Sequence, residues 1–216
     1  MIGVVIPAHN EEALLRHCLE SVLTAAAHPL LDEPVEILVV LDSCSDGSAR
    51  IAEQMGIKTL TTRGRNVGEA RWTGAESLIG AGARWLAFTD ADTLVSPQWL
   101  VRQLDCRADA VCGTVSVDCW DAHAGQVRAR YENLYQPVEG HRHIHGANFG
   151  VCSIAYQRAG GFKHLQAHED VHLVRDLERA GARIVWTASN SVVTSARKES
   201  RCRQGFADYL LSLETA

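Results

Sequence analysis

The sequence predicts a single α/β domain: a mainly parallel central sheet flanked by helices. Three observations carry this prediction. β-rich apolar runs alternate with amphipathic helical patterns through the first half, each run ends in polar or acidic residues, and no linker, repeat or low-complexity segment breaks the 216-residue chain. Strand–helix alternation implies right-handed βαβ units whose strands run parallel. A chain of this length favours one domain with a sizeable core.

In chain order, strands are expected at residues 2–7, 35–41, 58–61 and 84–89, with helices at 11–27, 48–55 and 68–81. The second half is less regular. It offers a strand at 110–117, a helix at 126–135, a histidine-rich loop at 138–145 and a helix at 169–180. Two strands at 183–186 and 191–194 follow, then a closing helix at 202–213 with Phe206, Tyr209, Leu210 and Leu213 on one face.

Composition excludes several classes. Hydrophobic residues are 46% and charged residues 22% of the chain, ordinary for a soluble globular protein. A net charge of -5 gives no reason to expect nucleic acid, and no basic run suggests a membrane-surface patch. An anionic substrate must then be held by local arginines, backbone donors or a metal. The apolar stretches fall short of the roughly 20 residues of a membrane-spanning helix. The start, Met1-Ile2-Gly3, lacks a basic region and reads as a strand rather than a signal peptide. Seven scattered cysteines without a CxxC pair read as reduced thiols of a cytoplasmic protein, not as a zinc cluster.

Parallel sheets bind ligands beyond the carboxyl ends of their strands. There the chain places Ala8-His9-Asn10-Glu11-Glu12, Asp42-Ser43-Cys44-Ser45-Asp46-Gly47-Ser48 and Thr89-Asp90-Ala91-Asp92-Thr93. Any one of them serves as a helix cap; three on one sheet edge point to a site. Asp90-Ala91-Asp92 follows the apolar run Trp85-Leu86-Ala87-Phe88. Extended backbone would set both carboxylates on one side, where a divalent cation offsets their repulsion. Such hard oxygen donors suit Mg2+ or Mn2+.

Taken together, these segments resemble family 2 glycosyltransferases of the GT-A fold over about residues 2 to 206. The resemblance rests on six segments in order: residues 4–12, 39–48, Asn66-Val67-Gly68-Glu69-Ala70-Arg71, Asp90-Ala91-Asp92, Gly146-Ala147-Asn148 with Gly160-Gly161-Phe162, and Glu169-Asp170. It implies an inverting transferase of hexosyltransferase type. The donor would be a nucleotide-diphosphate sugar and the acceptor a small-molecule or glycan hydroxyl. Residues 1–93 would bind the nucleotide sugar, and residues 94–216 the acceptor. Pro7, Ala8, His9 and Glu11 would border the nucleoside, and Asp42 would accept hydrogen bonds from its base. Arg71 would lie near the base or diphosphate, where a guanidinium can make two parallel bonds. Asp90, Ala91 and Asp92 would meet the ribose and a Mg2+ or Mn2+ ion, with Asp92 as the main ligand. Asp170 would be the general base that deprotonates the acceptor, with Glu169 able to share the task.

Other readings compete for the same residues. His168-Glu169-Asp170-Val171-His172 matches the zinc-peptidase pattern HExxH. That reading leaves Asp42, Arg71 and Asp90-Ala91-Asp92 without a role. A catalytically silent nucleotide-binding domain is a further alternative, as is a nucleotidyltransferase, though no glycine-rich basic loop follows the first strand. The alternating His141, His143 and His145 would face one way, with His145, beside Gly146-Ala147-Asn148, best placed for acceptor or phosphate. Trp120 is the tryptophan most suited to stack on a sugar, and Asn148 a further acceptor-side contact. Where many GT-A enzymes supply another metal ligand after the base helix, this chain has Thr194-Ser195-Ala196-Arg197 and then Arg201. Those arginines would clamp the diphosphate.

Overall fold

A computed structural model describes residues 1–117, 119–121, 123–197 and 206–215. The first half runs β1 (Ile2–Ala8), α1 (Leu15–Ala26), β2 (Val35–Asp42), α2 (Ser48–Gln54), β3 (Lys58–Thr62), α3 (Val67–Gly80) and β4 (Trp85–Phe88). The second runs β5 (Thr93–Leu94), α4 (Trp99–Asp105), β6 (Ala110–Ser116), α5 (Gly125–Leu134), a 3-10 turn (Gly146–Asn148) and β7 (Phe149–Cys152). It continues through α6 (Ser153–Arg158), α7 (Glu169–Arg179), β8 (Ile184–Thr194) and α8 (Phe206–Thr215).

All eight strands join one sheet in the order β3-β2-β1-β4-β7-β6-β8-β5. β3, β2, β1 and β4 are parallel, as the alternation predicts. β6 and β8 form a second parallel pair. β7 runs antiparallel between the two blocks, and β5 is an antiparallel edge.

The sheet is covered on both faces, which is why its central strands are apolar throughout. Along β1, Ile2, Val4 and Ile6 pack in the cluster that holds Leu15, Leu19 and Val22 of α1. Val5 belongs to the opposite cluster with Ala70, Ala75 and Leu78 of α3. Gly74 is what lets α3 lie close: a Cβ there would run into Val5 and Val40.

Several elements depart from the sequence expectation. α1 begins at Leu15 rather than residue 11, because the Glu11 carbonyl accepts from both Leu14 and Leu15 N–H in a preceding turn. Asn10, with φ 56°, turns its side chain away from the helix to accept from Ser45 N–H at 2.8 Å. Glu11 is thereby left at the sheet edge. The strands expected at 183–186 and 191–194 are one strand, β8, whose pairing with β6 jumps from Cys112↔Trp186 to Thr114↔Ser191. Glu139 Oε1 holds this excursion by accepting from Thr187 Oγ1 and from Ala188 and Ser189 N–H. α4, β5, β7 and α6 are additional. The closing helix starts at Phe206, and residues 202–205 of its expected span lie outside the described residues. No described helix is long and apolar enough to cross a membrane.

Asn148 locks the excursion to the sheet. Its Nδ2 donates to the Thr114 and Asn190 carbonyls at 2.8 and 2.7 Å, and its Oδ1 accepts from Trp99 Nε1 at 2.9 Å. The side chain is 1% exposed, so none of these partners has water as a substitute. Asn148→Leu should therefore cost about 3 kcal/mol or more, given roughly 1–3 kcal/mol for each buried group left unpaired. Chemical denaturation measures this, and a loss below about 1 kcal/mol would contradict it.

Candidate active site

A cleft of about 810 Å³ opens where the carboxyl ends of β1, β2 and β4 meet the loops of the second half. Pro7, Ala8, His9, Glu11, Asp42, Arg71, Asp90, Ala91 and Asp92 all line it, as do His145, Glu169, Asp170 and Arg197. The long parallel strands set the floor, and each polar loop projects where its strand runs out.

Asp42, at the tip of β2, is 4% exposed. Its Oδ1 accepts from Arg65 N–H at 3.0 Å and its Oδ2 from Asn66 N–H at 2.6 Å. Asn66 in turn caps α3, accepting from Glu69 N–H at 3.0 Å. Asp42 thus anchors the entry of α3. Ser43 Oγ also donates to Oδ1, at 3.2 Å. A carboxylate offers about four acceptor positions, so about one remains on a side chain that lines the cleft. His9 Nδ1 donates to the Asp42 carbonyl at 2.6 Å.

Arg71, on α3, is 3% exposed and lies between two carboxylates. Nη2 donates to Asp90 Oδ1 at 2.5 Å, and Nη1 pairs with Glu169. Its guanidinium carbon sits 5.8 Å from the centroid of Phe162, and a Cβ on Gly146 would overlap the guanidinium. Both arms of the guanidinium fork, expected near the base or diphosphate, are paired with protein carboxylates.

Arg197, just beyond β8, forms the second charge cluster. Its Nη1 and Nη2 each donate to Glu11 at 2.6 Å, and Nη2 also lies 3.0 Å from Asp92 Oδ2. The two aspartates of Asp90-Ala91-Asp92 therefore line one cleft but go to different arginines. A turn closed by Thr93 N–H to the Asp90 carbonyl separates them. Burial pushes the Asp92 carboxyl up to about 7; Arg197 opposes this, and the charges of Asp90 and Glu11 reinforce it. Among the described residues, no group of three or more His, Cys, Asp or Glu side chains is arranged to hold a metal by itself. Two aspartates in surplus negative charge nonetheless fit Mg2+ or Mn2+, which complete their shells with phosphate oxygens and water.

On the far side of the cleft, Asp170 Oδ2 accepts from Gly146 N–H at 2.8 Å and Oδ1 from Val171 N–H at 2.7 Å. Glu169 is 3% exposed and held by Arg71, so the adjacent acids have different surroundings. The HExxH pattern does not form a zinc site here. His168 is the residue before α7, in left-handed backbone at φ 61°; Glu169, its expected base, is tied to Arg71; and no metal-holding group forms there among the described residues.

The histidines do stack on one side, His141 on His143 at 5.5 Å and His143 on His145 at 6.3 Å. Of these three, His143 and His145 line the cleft; His141 is 5% exposed and its Nε2 faces the Thr187 carbonyl at 3.4 Å. Burial, with His143 and His141 adding, pushes His145 down to about 3. Two expected acceptor contacts fall elsewhere. Asn148 is consumed by the β6–β8 junction, and Trp120 packs on Tyr131 with its Nε1 donating to the Val117 carbonyl at 3.2 Å. Arg201 lies outside the described residues. The cleft also has an apolar wall of Val115, Tyr135, Ile144, Phe206 and Tyr209 that the sequence does not single out. Its one local signal is the face of the closing helix that carries Phe206 and Tyr209.

Comparison with known proteins agrees with this geometry. The sequence model "Glycosyl transferase family 2" matches residues 3–165. The chain is 30% identical over 196 residues to "Glycosyltransferase AglE" of Haloferax volcanii, covering 83% of this chain and 62% of that protein. It is 25% identical over 182 residues to "Glucosyl-dolichyl phosphate glucuronosyltransferase" of the same organism, covering 71% of this chain and 57% of that protein. The chain thus spans about three-fifths of the length of these relatives. Among solved structures, S. aureus TarS with UDP-GlcNAc superposes with a TM-score of 0.69 at 16% identity, over 98% of this chain and 64% of that one. Mannosyltransferase PcManGT from Pyrobaculum calidifontis, with GDP-Man and Mn2+, gives 0.66 at 16% identity, over 93% and 58%. Both share the fold. The chain belongs to glycosyltransferase family 2.

Proposed function

We propose that the protein transfers a sugar from a nucleotide-diphosphate sugar to an acceptor hydroxyl with inversion, assisted by Mg2+ or Mn2+. The observation that carries this reading is the convergence of Asp42, Asp90, Asp92 and Asp170, from β2, β4 and α7, on one cleft. The UDP-GlcNAc and the GDP-Man with Mn2+ held by the two fold neighbours support the donor class.

In this reading residues 1–93 supply the donor half. Pro7, Ala8, His9 and Glu11 border the nucleoside, and Asp42 uses its spare acceptor capacity on the base. Asp90 and Asp92 would hold the divalent cation, which when bound supplies positive charge for the leaving diphosphate. Arg197 brings a further cation to the same edge, while Arg71 keeps Asp90 and Glu169 in place. Residues 94–216 supply the acceptor half. Asp170, fixed by the Gly146 and Val171 N–H groups, takes the acceptor proton as the new oxygen–C1 bond forms. The C1–oxygen bond to the diphosphate breaks, and its electron pair leaves with the phosphate. Attack opposite the leaving group inverts the anomeric carbon.

Two measurements check the reading. Calorimetry with UDP and GDP should show at least one binding much more tightly with Mn2+ than with chelator, and Asp92→Asn should remove that difference while the protein stays folded. Equal affinity with chelator and with metal would contradict the cation's role. Asp170→Asn should keep nucleotide affinity while nucleoside diphosphate release from the sugar donor falls by about 100- to 10,000-fold, the span of a lost general base. Turnover within threefold of the parent would remove Asp170 from that role.

A further inference from the structure

The acceptor side of the cleft holds a hydrogen-bond chain that the proposed reaction does not yet use. Tyr135 is 7% exposed and stacked between Tyr131, at 5.1 Å, and His143, at 4.1 Å. Its hydroxyl oxygen accepts from Val115 N–H at 2.9 Å and lies 3.1 Å from His145 Nε2. The backbone N–H can only donate, so the phenolic O–H must find another acceptor, and the His145 ring nitrogen is the one in reach. A buried hydroxyl proton without a partner is costly, so this chain has one favoured direction: Val115 N–H to Tyr135 oxygen, Tyr135 O–H to His145 Nε2. His145 Nε2 is then unprotonated. The low affinity of this imidazole for a second proton agrees with that, since an imidazolium would need an N–H there.

The other two histidines are fixed in the opposite sense. His141 Nδ1 accepts from His143 N–H at 3.1 Å, leaving its proton on Nε2. His143 Nε2 faces the Gln136 carbonyl at 3.1 Å and donates to it. Of these three, His145 alone carries its proton on Nδ1. That nitrogen has no partner among the described residues and is not among the sealed polar atoms, while the ring lines the cleft. The next residue, Gly146, donates its N–H to Asp170.

We propose that Tyr135 fixes His145 as a neutral Nδ1–H donor, and that this N–H binds a hydroxyl oxygen of the acceptor beside Asp170. This rests on the glycosyltransfer reading above. The oxygen is then held from two sides, accepting from His145 and donating to Asp170, which aims a lone pair at the sugar carbon. The carboxylates of Asp90 and Asp170 make this a poor place for a second anion, so a neutral hydroxyl rather than a phosphate is the matching ligand. The apolar wall of Val115, Tyr135, Ile144, Phe206 and Tyr209 would receive the carbon framework attached to it. Tyr135 acts through His145 and is a positioning residue.

Long-range 1H–15N spectra of the histidine rings test this, with the His145 signals assigned by their loss in His145→Phe. The expected result at neutral pH is a protonated Nδ1 and a bare Nε2 on His145, with the proton shifting to Nε2 in Tyr135→Phe. With magnesium and UDP or GDP present, p-nitrophenyl β-glucoside or α-mannoside should move the His145 Nδ1 signal, and inorganic phosphate should not. Both variants should bind that glycoside about 3- to 10-fold more weakly, the range for one net hydrogen bond. A protonated Nε2 in the parent protein, a response to phosphate alone, or an Nδ1 signal unmoved by either glycoside would overturn the proposal. Nucleotide affinity, measured in parallel, reports separately on the glycosyltransfer reading: its absence would sink that reading whatever the state of His145.

Discussion

The site depends first on a buried guanidinium held between two carboxylates. Arg71 comes from α3, Asp90 from the end of β4 and Glu169 from the start of α7, so one side chain ties the parallel first half to the second. Charges this deeply buried are tolerated only when paired, because desolvation costs several kcal/mol per ion. The geometry is therefore held tightly: moving α7 would strand Arg71. Glu169 brings its neighbour Asp170 to the cleft, and Gly146 is small enough to leave room for the guanidinium while its N–H reaches Asp170.

A second cluster repeats the device beyond the ends of β1 and β4. Arg197 joins Glu11, after β1, to Asp92, after β4, and so draws the chain beyond β8 over the sheet edge. Between the two arginines lies Asp90-Ala91-Asp92, with Ala91 2% exposed and anchored in the core. The buried alanine lets the flanking aspartates divide between the clusters. One cleft then has a cationic support at each side and carboxylates between them, which is where the proposed reaction would place the diphosphate and its cation.

Much of this was legible in the sequence because it follows from local rules. β1 to β4 show as apolar runs ending in polar loops, and the order of those loops places Asp42, Asp90 and Asp92 on one edge. What sequence could not show depends on pairing across long separations. Arg71 reads as a residue near the base or diphosphate, and nothing local shows that Glu169, 98 positions away, pairs with it. Asn148 sits beside Gly146-Ala147 and so looks like a site residue, yet carbonyls 34 and 42 positions away take its amide. β7 is four residues long and lies between strands from both halves, and the β8 excursion exists only relative to β6. Neither has a local signature. Tyr135 closes a helix pattern and gives no sign that its hydroxyl meets Val115 and His145.

The central claim is that the Arg71–Glu169 pair couples the two halves into one site. A double-mutant cycle with Arg71→Met, Glu169→Gln and the pair, followed by denaturant unfolding, tests it most directly. Each single change should cost about 3–5 kcal/mol, as removal of one partner of a buried pair does. The double variant should recover part of that loss, with a coupling energy above about 1 kcal/mol. Additivity within about 0.5 kcal/mol would mean that the two side chains act independently, and would contradict the account.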